Sequence, residues 1–412
     1  MLANIGALSA ARLAAPVLRM AVPVWISRAL GVEGLGGYQL VMSYFAICSA
    51  VTSLGLWGFV VREMAATRAR AGGLLVHSFA LSLATSIPAG LVMAASGLGY
   101  GGETRAAMLI MTVALFPAVV SLYTDGAFLA FDRARYVAAF MVVEELVLTA
   151  LACGALWLGY GLTMVVGLVA GVRVAAAGAR VIVARRLAGG FDWRIERPMV
   201  LEMLRQTPVF FGTTVLSTLL WRIDLIMLSW LGTATDVGLY AAALRFVVMA
   251  QEIPSAALAT LFPRLSALHL ESHAEFRSLC MATAKYLGLF AVATIVGVTV
   301  MGPTVIRLLF GSKFDASVPI LQLLVWSLLP FGVMKLLGSA LVASHHQVAD
   351  LVINAILLVV YAALMVLLIP AHGLLGAAAA TLVTMTLAVV LRGWFLLERV
   401  KLGTAGVRVS AA

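Results

Sequence analysis

Residues 351–369 read LVINAILLVVYAALMVLLI, and after the Pro-Ala-His-Gly break at 370–373 the chain continues as LLGAAAATLVTMTLAVVLRGWFLL to residue 397. At a rise of 1.5 Å per residue, about 20 apolar positions cover the hydrocarbon core of a bilayer, so each run is a membrane-crossing helix. The same pattern extends back to the N-terminus. Apolar runs separated by charged or Gly-rich breaks lie near 5–30, 38–61, 74–97, 106–130, 137–158 and 162–183. After the basic segment Ala184 to Thr207 they resume near 208–231, 237–262, 281–301, 317–340, 350–369 and 374–397. This predicts an all-α integral membrane protein of about twelve transmembrane helices in two six-helix bundles. The expected boundaries are 1–190 for the first bundle, 191–207 for a cytoplasmic linker, 208–398 for the second bundle and 399–412 for a cytoplasmic tail.

Composition excludes the alternatives. The 412 residues are 63% hydrophobic and 11% charged, with a mean hydropathy of +1.07, whereas a soluble domain carries about 25% charged residues. Twelve spans and short turns leave no room for a separate globular enzyme. The first run contains Arg12 and Arg19 and lacks the compact apolar centre of a cleaved signal peptide, so it is expected to stay as the first helix. Cys48, Cys153 and Cys280 have no metal-binding or redox spacing and read as small apolar residues. His345-His346 reads as a solvated turn rather than a metal site.

Orientation follows from the basic residues in the turns. With the N-terminus inside, the inner turns around 62–70, 133–135, 185–205, 264–277 and 399–408 hold fifteen Lys and Arg, against Arg105, Arg307 and Lys313 outside. That bias places both termini in the cytoplasm and the chain in the inner (plasma) membrane. It also accounts for most of the net charge of +10 without any nucleic-acid partner.

Two stretches repeat. Leu30-Gly31 leads to Tyr38 and then to Arg62, and Leu231-Gly232 leads to Tyr240 and then to Arg264, with 24 residues from tyrosine to arginine in both. Six spans separate the copies, so both have the same orientation, which predicts a parallel repeat with a cavity between two bundles.

Charged residues inside the spans are the candidates for function, since each Arg or Lys at a helix centre costs about 2.5–3.5 kcal/mol on insertion scales and must face protein or water. Arg180, Lys285, Lys335 and Arg392 lie near the inner boundary, where their stems can reach lipid head groups. Arg12 and Arg19, seven residues apart, share one helix face. Arg28 follows on the same helix, although Pro16 and Pro23 can bend it. Arg222 and Arg245 recur in the second half. These five are the candidate substrate-binding residues. Arginine grips phosphate bidentately and keeps its charge in an apolar cavity, so the set fits an anionic substrate. Salt bridging within the bundle remains the other reading. The intramembrane acids Asp125, Glu144, Glu145, Asp224 and Glu252 either neutralise arginines, for instance a glutamate of the fifth span with Arg173 of the sixth, or bind a coupling proton or sodium ion, with Glu252 and Asp224 foremost. No other cofactor or metal is expected. Span prolines such as Pro88, Pro254 and Pro330 suit kinked helices as well as bends used in transport.

The stretch Ser27-Arg28-Ala29-Leu30-Gly31-Val32-Glu33-Gly34-Leu35-Gly36-Gly37-Tyr38 resembles a signature at the first outer turn of polysaccharide-export flippases, and Val61-Arg62-Glu63-Met64-Ala65 continues the likeness. In the second half, Asp224 to Leu228, Val237 to Arg245 and Leu261-Phe262-Pro263-Arg264-Leu265-Ser266 are similar to the same family. The resemblance implies membership of the multidrug, oligosaccharidyl-lipid and polysaccharide (MOP) exporter superfamily, with two bundles in a V that opens alternately to each side. It further implies an undecaprenyl-pyrophosphate-linked oligosaccharide as cargo, contact with membrane lipids, and a polysaccharide polymerase and chain-length machinery as partners. An ion-coupled multidrug or cation antiporter of that superfamily is the alternative, but its cavity should be dominated by carboxylates. A membrane oligosaccharide ligase or polymerase is more distant, since the longest outer connection, Gly302 to Ala316, is short and no nucleophile set is present.

Overall fold

The computed structural model describes residues 2–344 and 346–399, with side chains from Leu18 onward except at Ala69, Val209, His269, Leu270, His273 and Arg399. Among the described residues the chain is helical almost throughout and has no strand. Its helices are α1 (Leu2–Thr52), α2 (Trp57–Ala66), α3 (Ala71–Gly97), α4 (Gly102–Thr112), α5 (Leu115–Ala130), α6 (Ala134–Trp157), α7 (Leu162–Leu187), α8 (Arg197–Leu220), α9 (Ile223–Leu231), α10 (Ala234–Glu271), α11 (His273–Phe310), α12 (Ser317–Leu324), α13 (Leu328–Ala343) and α14 (Gln347–Arg399).

Among the described residues eight helical segments are long and apolar enough to cross a bilayer. The bent pairs α4 with α5, at 47°, and α8 with α9, at 50°, raise the number to ten. Gly31 (φ 74°) breaks α1 into arms 2–30 and 32–52, and Gly373 (φ 58°) breaks α14 into arms 347–372 and 374–399. Counting these arms separately gives the twelve spans expected. Only glycine takes such positive-φ backbone geometry cheaply, so both positions break the helix without an intervening loop. The expected tail 399–412 lies outside the described residues except for the backbone of Arg399.

The outer surface of these helices is one that water would not tolerate. Ile87, Leu91, Leu289, Val300, Val359 and Leu367 are all more than 60% exposed, as expected where hydrocarbon is the solvent. Exposed aromatics collect at span ends: Trp157 and Tyr160 after α6, Trp230 at the end of α9 and Trp394 near the end of α14. These are the levels at which amphipathic rings meet lipid head groups.

The chain divides into two compact units, Met1–Ile226 and from Met227 onward. The division falls within α9, beyond the linker at 191–207. In the first unit, Leu56, Phe59, Met64, Leu75, Val120 and Phe128 form a buried core shared by α2, α3 and α5. The Tyr123 hydroxyl donates to the Ser53 carbonyl across it. Glu103 reaches from α4 to the start of α7, where its Oε2 accepts from the Leu162 N–H at 2.7 Å, satisfying a donor at the positive end of that helix. The linker lies on α3. His77, buried, accepts the Glu196 N–H on Nε2 at 2.8 Å and pairs through Nδ1 with the Gly73 carbonyl at 2.6 Å, which makes it a neutral imidazole with its proton on Nδ1. In the second unit, Tyr240 and Tyr361 both reach Thr381 Oγ1, at 3.0 and 2.7 Å, while Thr381 donates to the Ala377 carbonyl. The single threonine proton is therefore used on the backbone, and both tyrosines donate. This joins α10 to both arms of α14.

The second expected span, 38–61, is interrupted. Leu54 (φ 51°) and Gly55 (φ 66°) turn the chain between α1 and α2, and the Phe210–Phe211 backbone of α8 passes so close that a Cβ on Gly55 would meet the Phe210 carbonyl. Gly55→Ala is expected to lower the thermal midpoint, since the left-handed backbone alone costs about 1–2 kcal/mol and the contact adds to it. A midpoint equal to that of the unaltered protein, read by fluorescence-detected thermal unfolding in detergent, would contradict this packing.

Candidate functional site

Three helices of the first unit carry charges at mid-length. Arg19 lies in the first arm of α1, Glu144 and Glu145 near the centre of α6, and Arg173 near the centre of α7. The two adjacent glutamates serve different arginines. Glu145 Oε1 is 3.7 Å from Arg19 Nε, whereas Glu144 Oε2 is 2.7 Å from Arg180 Nη1. Arg180 also donates from Nε to Asp125 Oδ1 of α5 at 3.1 Å, and its guanidinium lies 4.9 Å from the Phe140 ring centre.

The two pairs differ in environment. The Arg180 side chain is 4% exposed and those of Asp125 and Glu144 are mostly covered, while the Arg19 side chain is 51% exposed. A buried cation held by two carboxylates is a fixed structural element, because removing one partner strands the others in an apolar interior. Arg19 is available. Arg173 is different again: its guanidinium lies 5.1 Å from the Phe45 ring centre, and its buried Nε has no hydrogen-bond acceptor among the described residues.

The second unit holds another buried network. Arg392 donates from Nε to Asp350 Oδ1 and from Nη2 to Asn354 Oδ1, each at 2.8 Å, and Asn354 Nδ2 returns to Asp350 Oδ2 at 3.1 Å. Lys335 interacts electrostatically with Arg392, Asp350 and Glu252. In both units, therefore, an arginine near the end of the sixth span is buried against a carboxylate of the fifth. Arg180 and Arg392, expected among lipid head groups, are buried ion-pair partners instead. The expected pairing of a fifth-span glutamate with Arg173 is replaced at contact distance by Glu144 with Arg180 and Glu145 with Arg19. Asp350 and Asn354 were missed. Their spacing of four at the start of an apolar span, which puts both on one helix face, is the signal that could have found them.

The remaining candidates are dispersed. The Arg12 side chain lies outside the described residues. Arg28 and Glu252 are exposed, and Arg245 is partly buried in α10. Arg222 and Asp224 flank the bend between α8 and α9 and interact electrostatically. Asp224, 4% exposed, accepts the Leu225 N–H at 2.8 Å. Among the described residues no group of His, Cys, Asp and Glu could hold a metal ion, and His345 lies outside them.

The glycine-rich stretch serves packing. Gly31 turns the chain, and a Cβ on Gly37 would meet Thr104 Oγ1 and Leu162 Cδ2, so the second arm of α1 can approach α4 and α7. Tyr38 and its repeat counterpart Tyr240 are both buried. In the second copy a capping box, in which Thr233 and Asp236 bond each other's backbone N–H, starts α10 where the first copy has its glycine turn.

A family model described as "Polysaccharide biosynthesis protein" matches residues 1–269, which takes in Arg19, Glu144, Glu145, Arg173 and Arg180. The chain belongs to this polysaccharide biosynthesis family. Its fold is that of the MOP superfamily. A multidrug resistance MATE family transporter of that superfamily, inward-facing, superposes with a TM-score of 0.77 at 15% identity over 96% of this chain and 99% of the other. The lipid II flippase MurJ in an inward closed conformation gives 0.79 at 13% identity over 96% and 87%. An outward-facing MATE transporter gives 0.68 at 17% identity over 97% and 95%. No curated protein sequence matches the chain at a significant level. This polysaccharide biosynthesis family member is thus a multi-pass membrane protein with the fold of lipid flippases and transporters.

Proposed function

We propose that the protein moves an undecaprenyl-pyrophosphate-linked oligosaccharide from the cytoplasmic to the outer leaflet of the inner membrane, by alternating access and with both termini cytoplasmic. The observation that carries this reading is a half-exposed Arg19 at mid-span in a chain of the polysaccharide biosynthesis family. A charge at that depth is retained at a cost of several kcal/mol, and a diphosphate passing through the membrane is the counter-ion that justifies it. Membrane lipids are the immediate surroundings. Polymerase and chain-length proteins would act on the cargo after it crosses. A proton or sodium gradient supplies the driving force in this reading, through the intramembrane carboxylates.

A multidrug antiporter of the same fold would need carboxylates open to a cationic drug. In the first unit Asp125 and Glu144 are closed to one by Arg180, Asp224 is buried and Glu145 lies beside Arg19, whereas the second unit's Glu252 is exposed. The experiment is deletion of the gene with radiolabelled lipid-linked oligosaccharide as readout. Accumulation of labelled precursor with loss of surface polysaccharide is expected, reversed by the intact gene. Normal surface polysaccharide in the deletion strain, with raised sensitivity to cationic drugs, would favour the antiporter.

A further inference from the structure

Arg173 belongs to none of the residue sets assigned above to substrate or ion, yet its setting is that of a ligand-binding group. A guanidinium over an aromatic face is attracted by the ring's quadrupole, and Arg173 Cζ lies over the Phe45 ring, 5.1 Å from its centre. Its Nε is buried with no acceptor among the described residues. A buried donor left unsatisfied carries a penalty that an incoming acceptor removes. Arg19 lies in the same neighbourhood, since Glu145 interacts electrostatically with both arginines.

Among the described residues, the charges in this part of the first unit balance. Arg19, Arg173 and Arg180 stand against Asp125, Glu144 and Glu145, and the acids are coupled in sequence: Glu145 to Glu144, and Glu144 to Asp125 through Arg180. The members are not equally held. Arg180 binds two carboxylates at 2.7 and 3.1 Å within a buried setting, while Glu145 is 3.7 Å from a half-exposed Arg19. The group most easily displaced is Glu145. An anion that enters a neutral cluster at low dielectric must bring compensating positive charge with it.

We propose that Arg173, together with Arg19, binds the diphosphate of the cargo, and that the diphosphate displaces Glu145, which takes one proton from the aqueous phase as it loses its arginine partner. Glu145 is then a resident counter-ion that couples cargo binding to proton uptake. Among the described residues, the charged groups that act on it are Arg19 from α1, Arg173 from α7 and Glu144 on its own helix. This rests on the flippase reading for the identity of the anion.

The test is calorimetric titration of the full chain in phosphatidylcholine nanodiscs with farnesyl diphosphate, a short-chain lipid diphosphate, and separately with inorganic pyrophosphate. Titrations are run at about pH 8, where a phosphate with a second pKa of about 6 is already ionised, and repeated in buffers of different ionisation enthalpy to count protons. The unaltered protein is expected to bind farnesyl diphosphate with uptake of close to one proton. Arg173→Ala should weaken binding tenfold or more. Arg173→Lys, which keeps the charge but loses the planar fork, should fall between. Glu145→Gln should bind more tightly and take up no proton. Unchanged affinity in both Arg173 variants, or undiminished proton uptake in Glu145→Gln, overturns the inference and leaves the flippase reading intact. Failure of the unaltered protein to bind farnesyl diphosphate, whether or not it binds inorganic pyrophosphate, overturns both.

Discussion

Arg180→Ala is expected to remove most of the folded protein from the membrane. The substitution leaves Asp125 and Glu144 facing each other in a setting that excludes water, since the Arg180 side chain covering them is itself only 4% exposed. Breaking one partner out of a buried ion pair typically costs about 3–5 kcal/mol, a large share of the roughly 5–15 kcal/mol by which proteins are usually stable. The guanidinium also packs on Phe140, so the loss includes apolar contact. Fluorescence-detected size-exclusion chromatography should show a reduced, aggregated peak. Arg180→Leu combined with Asp125→Asn and Glu144→Gln should recover much of the monodisperse protein, because it removes the stranded charges. A normal yield for Arg180→Ala alone would mean that the triad is not the fixed element described.

Arg19→Ala should behave in the opposite way, with normal protein levels and loss of polysaccharide export. Its ion pair is longer, at 3.7 Å, and its arginine is half exposed, so its loss strands less charge than the loss of Arg180 does. Its contribution to cargo is larger. A charge-assisted hydrogen bond is worth about 1.5–3 kcal/mol, or roughly ten- to a hundredfold in transport of the diphosphate. Immunoblotting for the protein and quantification of surface polysaccharide separate the two effects. Export at the level of the intact gene would remove Arg19 from the cargo path.

The contrast between these arginines explains what a sequence can and cannot say here. Bilayer thickness imposes a length on every span, and backbone hydrogen bonding imposes helix, so the spans were legible. Depth along a helix was legible too, and it placed Arg19 and Arg173 mid-span. What neighbours face each side chain was not. Arg180 and Arg392 sit at a depth where snorkelling is available, and only the packing of α5 and α6 on α7, and of the two arms of α14, turns them inward to Asp125, Glu144 and Asp350. The choice of Glu144 rather than Glu145 for Arg180 depends on a rotation of about 100° between adjacent positions of a 3.6-residue helix. No single-chain pattern supplies the partner's direction. The turn at Leu54 and Gly55 was hidden because residues 38–61 carry no charge that would mark a break, and the α8 backbone that packs on it comes from far along the chain.

The central claim is carriage of a lipid-linked oligosaccharide across the bilayer, and reconstitution tests it most directly. Purified protein in liposomes is given fluorescent undecaprenyl-pyrophosphate-linked oligosaccharide, and translocation is read as protection from, or exposure to, a membrane-impermeant lectin or quencher under an imposed proton gradient. Gradient-dependent translocation by the intact protein, absent in Arg19→Ala, is the result this account predicts. Equal rates in protein-free liposomes and in those holding the intact protein, with gradient-driven movement of a cationic dye instead, would contradict it.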